Sequence, residues 1–371
     1  MGKRHVLVMY GGRSVEHEIS CRSAAFVLRN LDPKKYVVHA VAIDKAGRWL
    51  PQNVGRLMDD LKGPVPIANT MAGQPALPAS EDPGSGLLAL ASRDHGPVTR
   101  SDLVIFPVLH GTFGEDGTMQ GLFDLAEVAY VGPDTLGSSI GMDKVVAKRL
   151  AASAGVPVVP WVDIRRQFYA VNPQQFLERA ATLGFPLFVK PARLGSSVGI
   201  NKARNAAELK KACEDAFVFD DKILVEKGLD IREIECAVLG DYDPQVSVPG
   251  EVIAHADFYS YDAKYVDADG AHSQIPAELT PAQVKEAQAI TKNVFMALEL
   301  YGMARVDLFL EKATGKFYLN EVNTIPGLTE ISQYPLLWKE SGVPAAELLD
   351  RLIDLAVKRR DVRASLKRSK D

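Results

Sequence analysis

The stretch that most narrows the possible folds lies at the start of the chain. His5–Tyr10 is a continuous apolar run closed by Gly11 and Gly12. Ser14–Arg29 follows with helical spacing, and Tyr36–Ile43 is a second apolar run. An uninterrupted apolar strand suits a sheet covered on both faces, and a strand–helix–strand order makes neighbouring strands parallel. The spacing therefore predicts a Rossmann-like opening, with Ser14 as helix N-cap. Leu103–Leu109 is another buried strand, feeding the loop His110–Gly117, a helix to about Ala126 and a short strand at Val128–Val131. Between them, Leu50–Thr99 is rich in Pro, Gly, Ala and Ser and predicts irregular surface decoration.

The rest of the chain reads as a mixed α+β region. A helix is expected over Asp143–Ala154, stopped by Gly155 and Pro157. Strands are expected at Pro186–Pro191, Ile223–Glu226 and Arg232–Leu239, with a Gly/Ser loop at Leu194–Gly199. Asp257–Glu278 is polar and spotted with aromatics, as a lid would be. Then come a helix over Pro281–Leu300, strands Ala304–Glu311 and Lys316–Val322, and a closing helix Leu348–Val357. The basic tail from Lys358 is expected to fray. No internal repeat is present.

Composition removes several classes of function. A chain of 371 residues with 47% hydrophobic and 24% charged residues predicts two or three folded domains. Its net charge of -4 argues against a broad basic surface for nucleic acid. The longest apolar runs are of strand length, far below the roughly 20 residues that span a bilayer. Lys3 and Arg4 likewise precede only a strand-length run, which is not a secretory signal, and Val6 rules out the myristoylation pattern after Gly2. Cys21, Cys213 and Cys236 form no CxxC pair, which predicts neither disulfide nor structural zinc, and a reducing cytosol.

The stretch richest in chemistry is Ala304–Thr324, two strands around a Lys312–Gly315 turn. In one register the turn allows, centred on Thr314, Asp307 faces Glu321 and Arg305 faces Asn323. Strand periodicity puts Glu321 and Asn323 on one face. Two opposed carboxylates repel, and a hard divalent cation between them removes the problem. The competing reading is a solvated hairpin face with scattered charges. Arg305, Asn323 and the following Pro326-Gly327 weigh against it, because an exposed face needs neither an amide nor a fixed turn there.

Two loops add anion-binding chemistry. Lys190–Gly199 places a lysine at a strand end, followed by Gly195, Ser196 and Ser197, whose amides and hydroxyls could hold phosphate oxygens. It is neither a Walker A nor a GxGxxG loop, and an ordinary surface loop remains an alternative. Gly11–Ser20 opens a helix. Glu16 and Glu18 there either stabilise its dipole or, for Glu16, point into a cleft toward a ligand ammonium. His110 and Glu115 lie at the exit of a parallel strand, the edge where open α/β sheets bind ligands.

Taken in order, GGRSVEHEIS, HGTFGEDGTMQG, MDK at Met142–Lys144, FVKPARLGSSVGI, Glu226 with REIECAV, YDAKY, ARVDLFL and LNEVNTIPGLTEIS resemble the D-alanine–D-alanine ligases of the ATP-grasp superfamily, from about His5 to Leu355. The resemblance implies an ATP-grasp fold with an N-terminal Rossmann-like domain. The parts would be residues 1–132 for substrate, 133–226 as the central subdomain, and 227–371 as the C-terminal subdomain with lid and metal site. ATP would lie between the last two. Lys144 and Lys190 would meet its phosphates under the Ser196–Ser197 loop, Glu226, Lys227 and Leu229 would border the adenine, and Glu233 would take the ribose. Lys264 would reach the γ-phosphate. Asp307, Glu321 and Asn323 would hold two magnesium ions, or manganese. Glu16 would bind the ammonium of the first D-alanine, His110 would lie near its carboxylate, and Ser332 would hold the carboxylate of the second. Arg305 and the Gly327 amide would form the oxyanion site. Glu16, Ser196 and Tyr265 would form a triad joining the first domain to the lid. A homodimer in a bacterial cytoplasm is the implied setting.

The resemblance also orders the alternatives. A D-alanine–D-lactate or other carboxylate–amine ligase keeps the same site, but Tyr265 and Ser332 favour the dipeptide product. A regulatory nucleotide-binding relative would have lost a magnesium ligand, a phosphate lysine or Arg305, and none is missing. A Rossmann oxidoreductase would need GxGxxG in the first loop, which is absent.

Overall fold

The computed structural model describes residues 2–59, 83–93, 96–254 and 271–367. Among these residues the chain forms three sheets. The first contains β1 (Arg4–Gly11), β2 (Tyr36–Ile43), β3 (Trp49–Gln52), β4 (Leu103–Pro107) and β5 (Ala129–Tyr130), in the order β3-β2-β1-β4-β5. All its pairings are parallel except β2 with β3. Helix α1 (His17–Asn30) makes the first crossover. It starts later than the sequence predicts, after a turn in which the Ser14 hydroxyl accepts from the Glu16 amide at 3.2 Å and donates to the His110 carbonyl at 2.6 Å. Gly11 has φ +91°, and a Cβ there would lie 2.2 Å from the Ile43 carbonyl oxygen, so the tight exit from β1 requires glycine.

The segment expected to be irregular contains α2 (Val54–Asp59) and α3 (Pro83–Ser92) among its described residues. Leu87, Leu90 and Ala91 of α3 pack with Leu7, Met9 and Phe123 beneath the sheet. The GLLALA run is apolar all round and short, so it carries no amphipathic period for sequence reading to find. Helix α4 (Thr118–Leu125) completes this layer.

Two helices, α5 (Thr135–Met142) and α6 (Lys144–Ser153), lead into the second sheet. Asp143 caps α6, accepting from the Val145 and Val146 amides at 3.1 Å each. The second sheet, β6 (Trp161–Arg165), β7 (Leu187–Pro191), β8 (Asn201–Ala203) and β9 (Lys222–Lys227), runs β6-β9-β7-β8 with antiparallel pairings. It packs against α7 (Arg166–Val171), α8 (Pro173–Ala181) and α9 (Ala206–Ala216).

The third sheet consists of β10 (Ile231–Gly240), β11 (Gln245–Val246), β12 (Gly250–Ala254), β13 (Ala271–Gln274), β14 (Gly302–Glu311) and β15 (Phe317–Asn323). Its path is β13-β12-β10-β14-β15, antiparallel, with β11 on β10. Helix α10 (Pro281–Ala297) covers one face together with α6, burying Val294, Phe295 and Leu298 against Val306 and Leu308.

Helices α11 (Gln333–Glu340) and α12 (Ala345–Ala364) cross back to the first sheet. Leu348, Leu349, Leu352 and Ile353 share a core with Val6, Val8, Tyr10 and Phe106. The basic tail therefore does not fray at Lys358. Arg359 is buried and donates to the Gly132 and Tyr130 carbonyls at 2.6 and 2.7 Å, while Arg363 pairs with Asp124 and Asp134. A cluster of arginines reads as a solvated face until the carbonyls and acids that receive it are in place.

Candidate active site

The carboxylate hairpin is β14–β15. Arg305 lies opposite Asn323 and Asp307 opposite Glu321, and a bulge between Asp307 and Leu308 shifts the pairing by one residue toward the turn. The Arg305 guanidinium donates to both Asp307 oxygens at 2.7 Å, and its Nε lies 3.1 Å from Glu235. Asn323 Nδ2 donates to Asp307 at 2.9 Å. Burial opposes charge on Arg305, but Asp307 and Glu235 outweigh it and hold its pKa well above the ordinary value. Two carboxylates and an amide are hard oxygen donors of the kind a magnesium ion takes. Among the described residues no cluster of three or more His, Cys, Asp or Glu could hold a metal, so this donor set depends on the amide of Asn323.

Beside the hairpin lies a cavity of about 720 Å³ between the second and third sheets. Lys190, Ser197, Glu226, Lys227, Leu229, Glu233, Asp307 and Glu321 all line it. Lys190 Nζ is 2.6 Å from Glu226 and 3.2 Å from Asn320 Oδ1. Lys144 Nζ is 3.0 Å from Glu321 and donates to the Leu194 carbonyl at 2.7 Å, tying α6 to both the hairpin and the Gly/Ser loop. Ser196 and Ser197 sit at φ +53° and +59°, a left-handed backbone unusual outside glycine.

Sequence reading missed Lys148. It lies one helical turn after Lys144, so the i, i+4 spacing was available as a signal. Its Nζ is 2.6 Å from the second oxygen of Glu226 and donates to the Leu319 carbonyl at 2.9 Å. Glu226 is thus clamped between two buried lysines. Burial alone would raise its carboxyl, but Lys148 and Lys190 hold it down at about 2. Lys190 is raised, Glu226 outweighing burial, whereas burial prevails at Lys148 and lowers it.

A second cluster gathers at the exits of β1 and β4. Ser196 Oγ donates to Glu16, bringing the Gly/Ser loop onto the first domain. Gly111, at φ +73°, has no room for a side chain: a Cβ would lie 2.5 Å from Glu16 Oε2. Both His110 nitrogens are engaged, with Ser23 Oγ at 3.0 Å and the Ile325 carbonyl at 2.9 Å, and burial lowers its pKa. Glu115 accepts from the Gly111 and Ile325 amides at 2.6 and 3.0 Å; burial and nearby Glu16 push its carboxyl up to about 8. Ser332 Oγ accepts from the Thr329 amide at 3.1 Å and would lie 3.0 Å from a Cβ on Gly327. Lys264 and Tyr265 lie outside the described residues. No helix among the described residues is long and apolar enough to cross a membrane.

A cavity between two antiparallel sheets, lined by lysines and carboxylates and joined through a serine loop to a Rossmann-like sheet, defines an ATP-grasp ligase. Family models match along the chain: the D-Ala-D-Ala ligase N-terminus over residues 5–133 and its C-terminus over residues 150–354. The D-alanine–D-alanine ligase A of Bradyrhizobium diazoefficiens is 46% identical over 99% of this chain and 98% of its own. The D-alanine–D-alanine ligase of Caldicellulosiruptor bescii is 42% identical, with all of both chains covered. Among solved structures, the D-alanine-D-alanine ligase from Coxiella burnetii has a TM-score of 0.77 at 34% identity, covering 98% of this chain and 97% of that one. The VanG D-Ala:D-Ser ligase from Enterococcus faecalis has a TM-score of 0.79 at 33% identity, covering 96% and 100%. The chain belongs to the D-alanine–D-alanine ligase family.

Proposed function

We propose that this chain joins two D-alanines into D-alanyl-D-alanine, with ATP converted to ADP and phosphate through an acyl phosphate. The observation that carries the reading is the convergence of Lys190, Asp307 and Glu321 on one cavity, with Lys144 paired to Glu321 and Arg305 to Asp307. Phosphoryl transfer demands little but positioning and charge neutralisation, which lysines beside carboxylates supply.

ATP lies in the cavity, its adenine bordered by Glu226, Lys227 and Leu229 and its ribose by Glu233. Lys144 and Lys190 meet the phosphates, releasing Glu321 and Glu226 from their present pairings, and Lys264 reaches the γ-phosphate. Asp307, Glu321 and Asn323 would hold two magnesium ions, or manganese, which supply charge neutralisation when bound. Glu16 binds the ammonium of the first D-alanine, His110 lies near its carboxylate, and Ser196 and Tyr265 link Glu16 to the lid. The carboxylate oxygen attacks the γ-phosphorus and ADP leaves. The amine of the second D-alanine, its carboxylate held by Ser332, then attacks the acyl carbon. Arg305 and the Gly327 amide stabilise the tetrahedral oxyanion until phosphate departs.

The division proposed at residues 132 and 226 follows the three sheets to within one residue, since β9 ends at Lys227, while α5 and α6, on the central side of it, pack on the C-terminal sheet. A homodimer in a bacterial cytoplasm, feeding peptidoglycan synthesis, completes the reading. The test is ADP release with magnesium and D-alanine alone, then with excess D-lactate or D-serine, and products identified by mass. D-alanyl-D-alanine as the main product under every condition is the expected result. A mixed product with D-serine would align the chain with its D-Ala:D-Ser relative, one with D-lactate would make it a depsipeptide ligase, and no ADP at all would overturn the reaction.

A further inference from the structure

The backbone that carries the Gly327 amide is held almost entirely by another part of the chain. From Ile325 to Leu328 there are three N–H groups, because Pro326 has none. The Ile325 N–H donates to Glu115 at 3.0 Å and the Leu328 N–H donates to Ser23 Oγ at 3.2 Å. Among the described residues, the Gly327 N–H donates to no protein group. On the other side of the same turn, the Ile325 carbonyl lies 2.9 Å from His110 Nδ1.

The polarity of this ring is determined by its ends. A carbonyl only accepts, so His110 Nδ1 carries the proton. Its Nε2 is then the acceptor in a neutral ring, and the Ser23 hydroxyl, 3.0 Å away, donates to it. That hydroxyl's oxygen remains available to the Leu328 N–H. Ser23, His110 and Glu115 are all buried, at 0%, 5% and 9% exposure, and all come from the first domain. A half-satisfied network at this depth would be costly, so its members lock one another into a single arrangement.

We infer that Ser23, His110 and Glu115 are positioning residues that clasp the Ile325–Leu328 backbone and aim the Gly327 N–H at the oxyanion of acyl transfer. This rests on the role proposed above for Gly327. It gives the first domain a part in the second chemical step in addition to binding the first substrate. The clasp should matter more to acyl transfer than to acyl-phosphate formation, because the phosphate-side groups Lys144, Lys190 and Asp307 make none of these contacts.

Glu115→Gln and Ser23→Ala test it. Glutamine keeps the shape of Glu115 and, like a carboxyl pushed up to about 8, carries little charge beside Glu16 near neutral pH, so folding is retained, but it presents an N–H to one of two N–H donors. Ser23→Ala removes the Leu328 acceptor and the His110 donor without adding bulk. Two rates are read on each protein: scrambling of oxygen-18 between bridging and non-bridging positions of ATP in the presence of D-alanine, which reports reversible acyl-phosphate formation, and dipeptide release. Dipeptide release should fall about a hundredfold, the scale of a roughly 1 Å misplacement, while scrambling persists. Parallel loss of both rates in both variants, or loss of neither, overturns the clasp. Scrambling and dipeptide both absent in the parent protein would overturn the reaction itself, and the clasp with it.

Discussion

Asp307→Asn should leave the chain folded and slow ADP formation by about a thousandfold or more. Asp307 is the point where the hairpin's charges meet. It accepts both Arg305 nitrogens at 2.7 Å and the Asn323 amide at 2.9 Å. The amide side chain has nearly the same shape, but it turns an NH2 group toward guanidinium or amide donors and removes one of two carboxylates available to a divalent ion. Both losses fall where negative charge is handled in the reaction. ADP release at saturating ATP and D-alanine, repeated over a wide magnesium range, separates them. Partial recovery at high magnesium identifies lost metal affinity, and no recovery identifies a displaced Arg305. A rate within about tenfold of the parent would remove Asp307 from the machinery.

Glu226→Gln should be the most destabilising single change in the cavity wall, costing about 3–5 kcal/mol at neutral pH, the scale for breaking a buried ionic cluster. Holding this buried carboxyl at about 2, against an ordinary value of 4.5, corresponds to about 3 kcal/mol. The sign follows from the depressed value. The contribution is fully present above about 4.5 and fades as pH falls toward 2, so the gap between parent and variant should narrow on acidification. Urea denaturation at several pH values reads this directly, and a constant gap would remove the ionic explanation. Burial lowers Lys148 and Glu226 opposes that shift, so removing the carboxylate alone leaves a buried lysine without its ionic partner. Pairing Glu226→Leu with Lys148→Met should therefore restore much of the stability while nucleotide affinity, measured by calorimetry, stays lost.

Much of the site was legible because its geometry is local. The period of two puts Glu321 and Asn323 on one face, and one register the turn allows sets Asp307 against Glu321. The chain reaches that pairing through the bulge, since the register at the turn, Leu310 opposite Phe317, would by itself set Asp307 against Asn320. The bulge beyond Asp307 was not legible, since an extra residue leaves no mark on an alternating pattern that already tolerates either register near a turn. Lys148 was within reach of helical spacing, but its burial depends on β9 and β15 closing over it. Glu115 stood out in the sequence beside His110. What it does there depends on a backbone more than two hundred residues away. The two misread segments, α3 and the end of α12, fail for opposite reasons. One is too uniformly apolar to show a period, and the other is too charged to look buried until Tyr130, Gly132, Asp124 and Asp134 receive its arginines.

The return of α12 to the first sheet also governs the order in which this chain can be made. One face of β1 and β4 is completed by Leu348, Leu349, Leu352 and Ile353, and Tyr36 is bonded to Asp350 at 2.6 Å. During synthesis the first domain emerges long before the helix that covers it, so Val6, Val8 and Phe106 wait for nearly the whole chain to follow. Ribosome-bound chains arrested before Ala345 should remain open to protease within their first domain and become resistant once α12 has emerged. Residues 345–364 thus act as a late latch: the first domain closes only after a helix more than three hundred residues downstream of β1 has emerged.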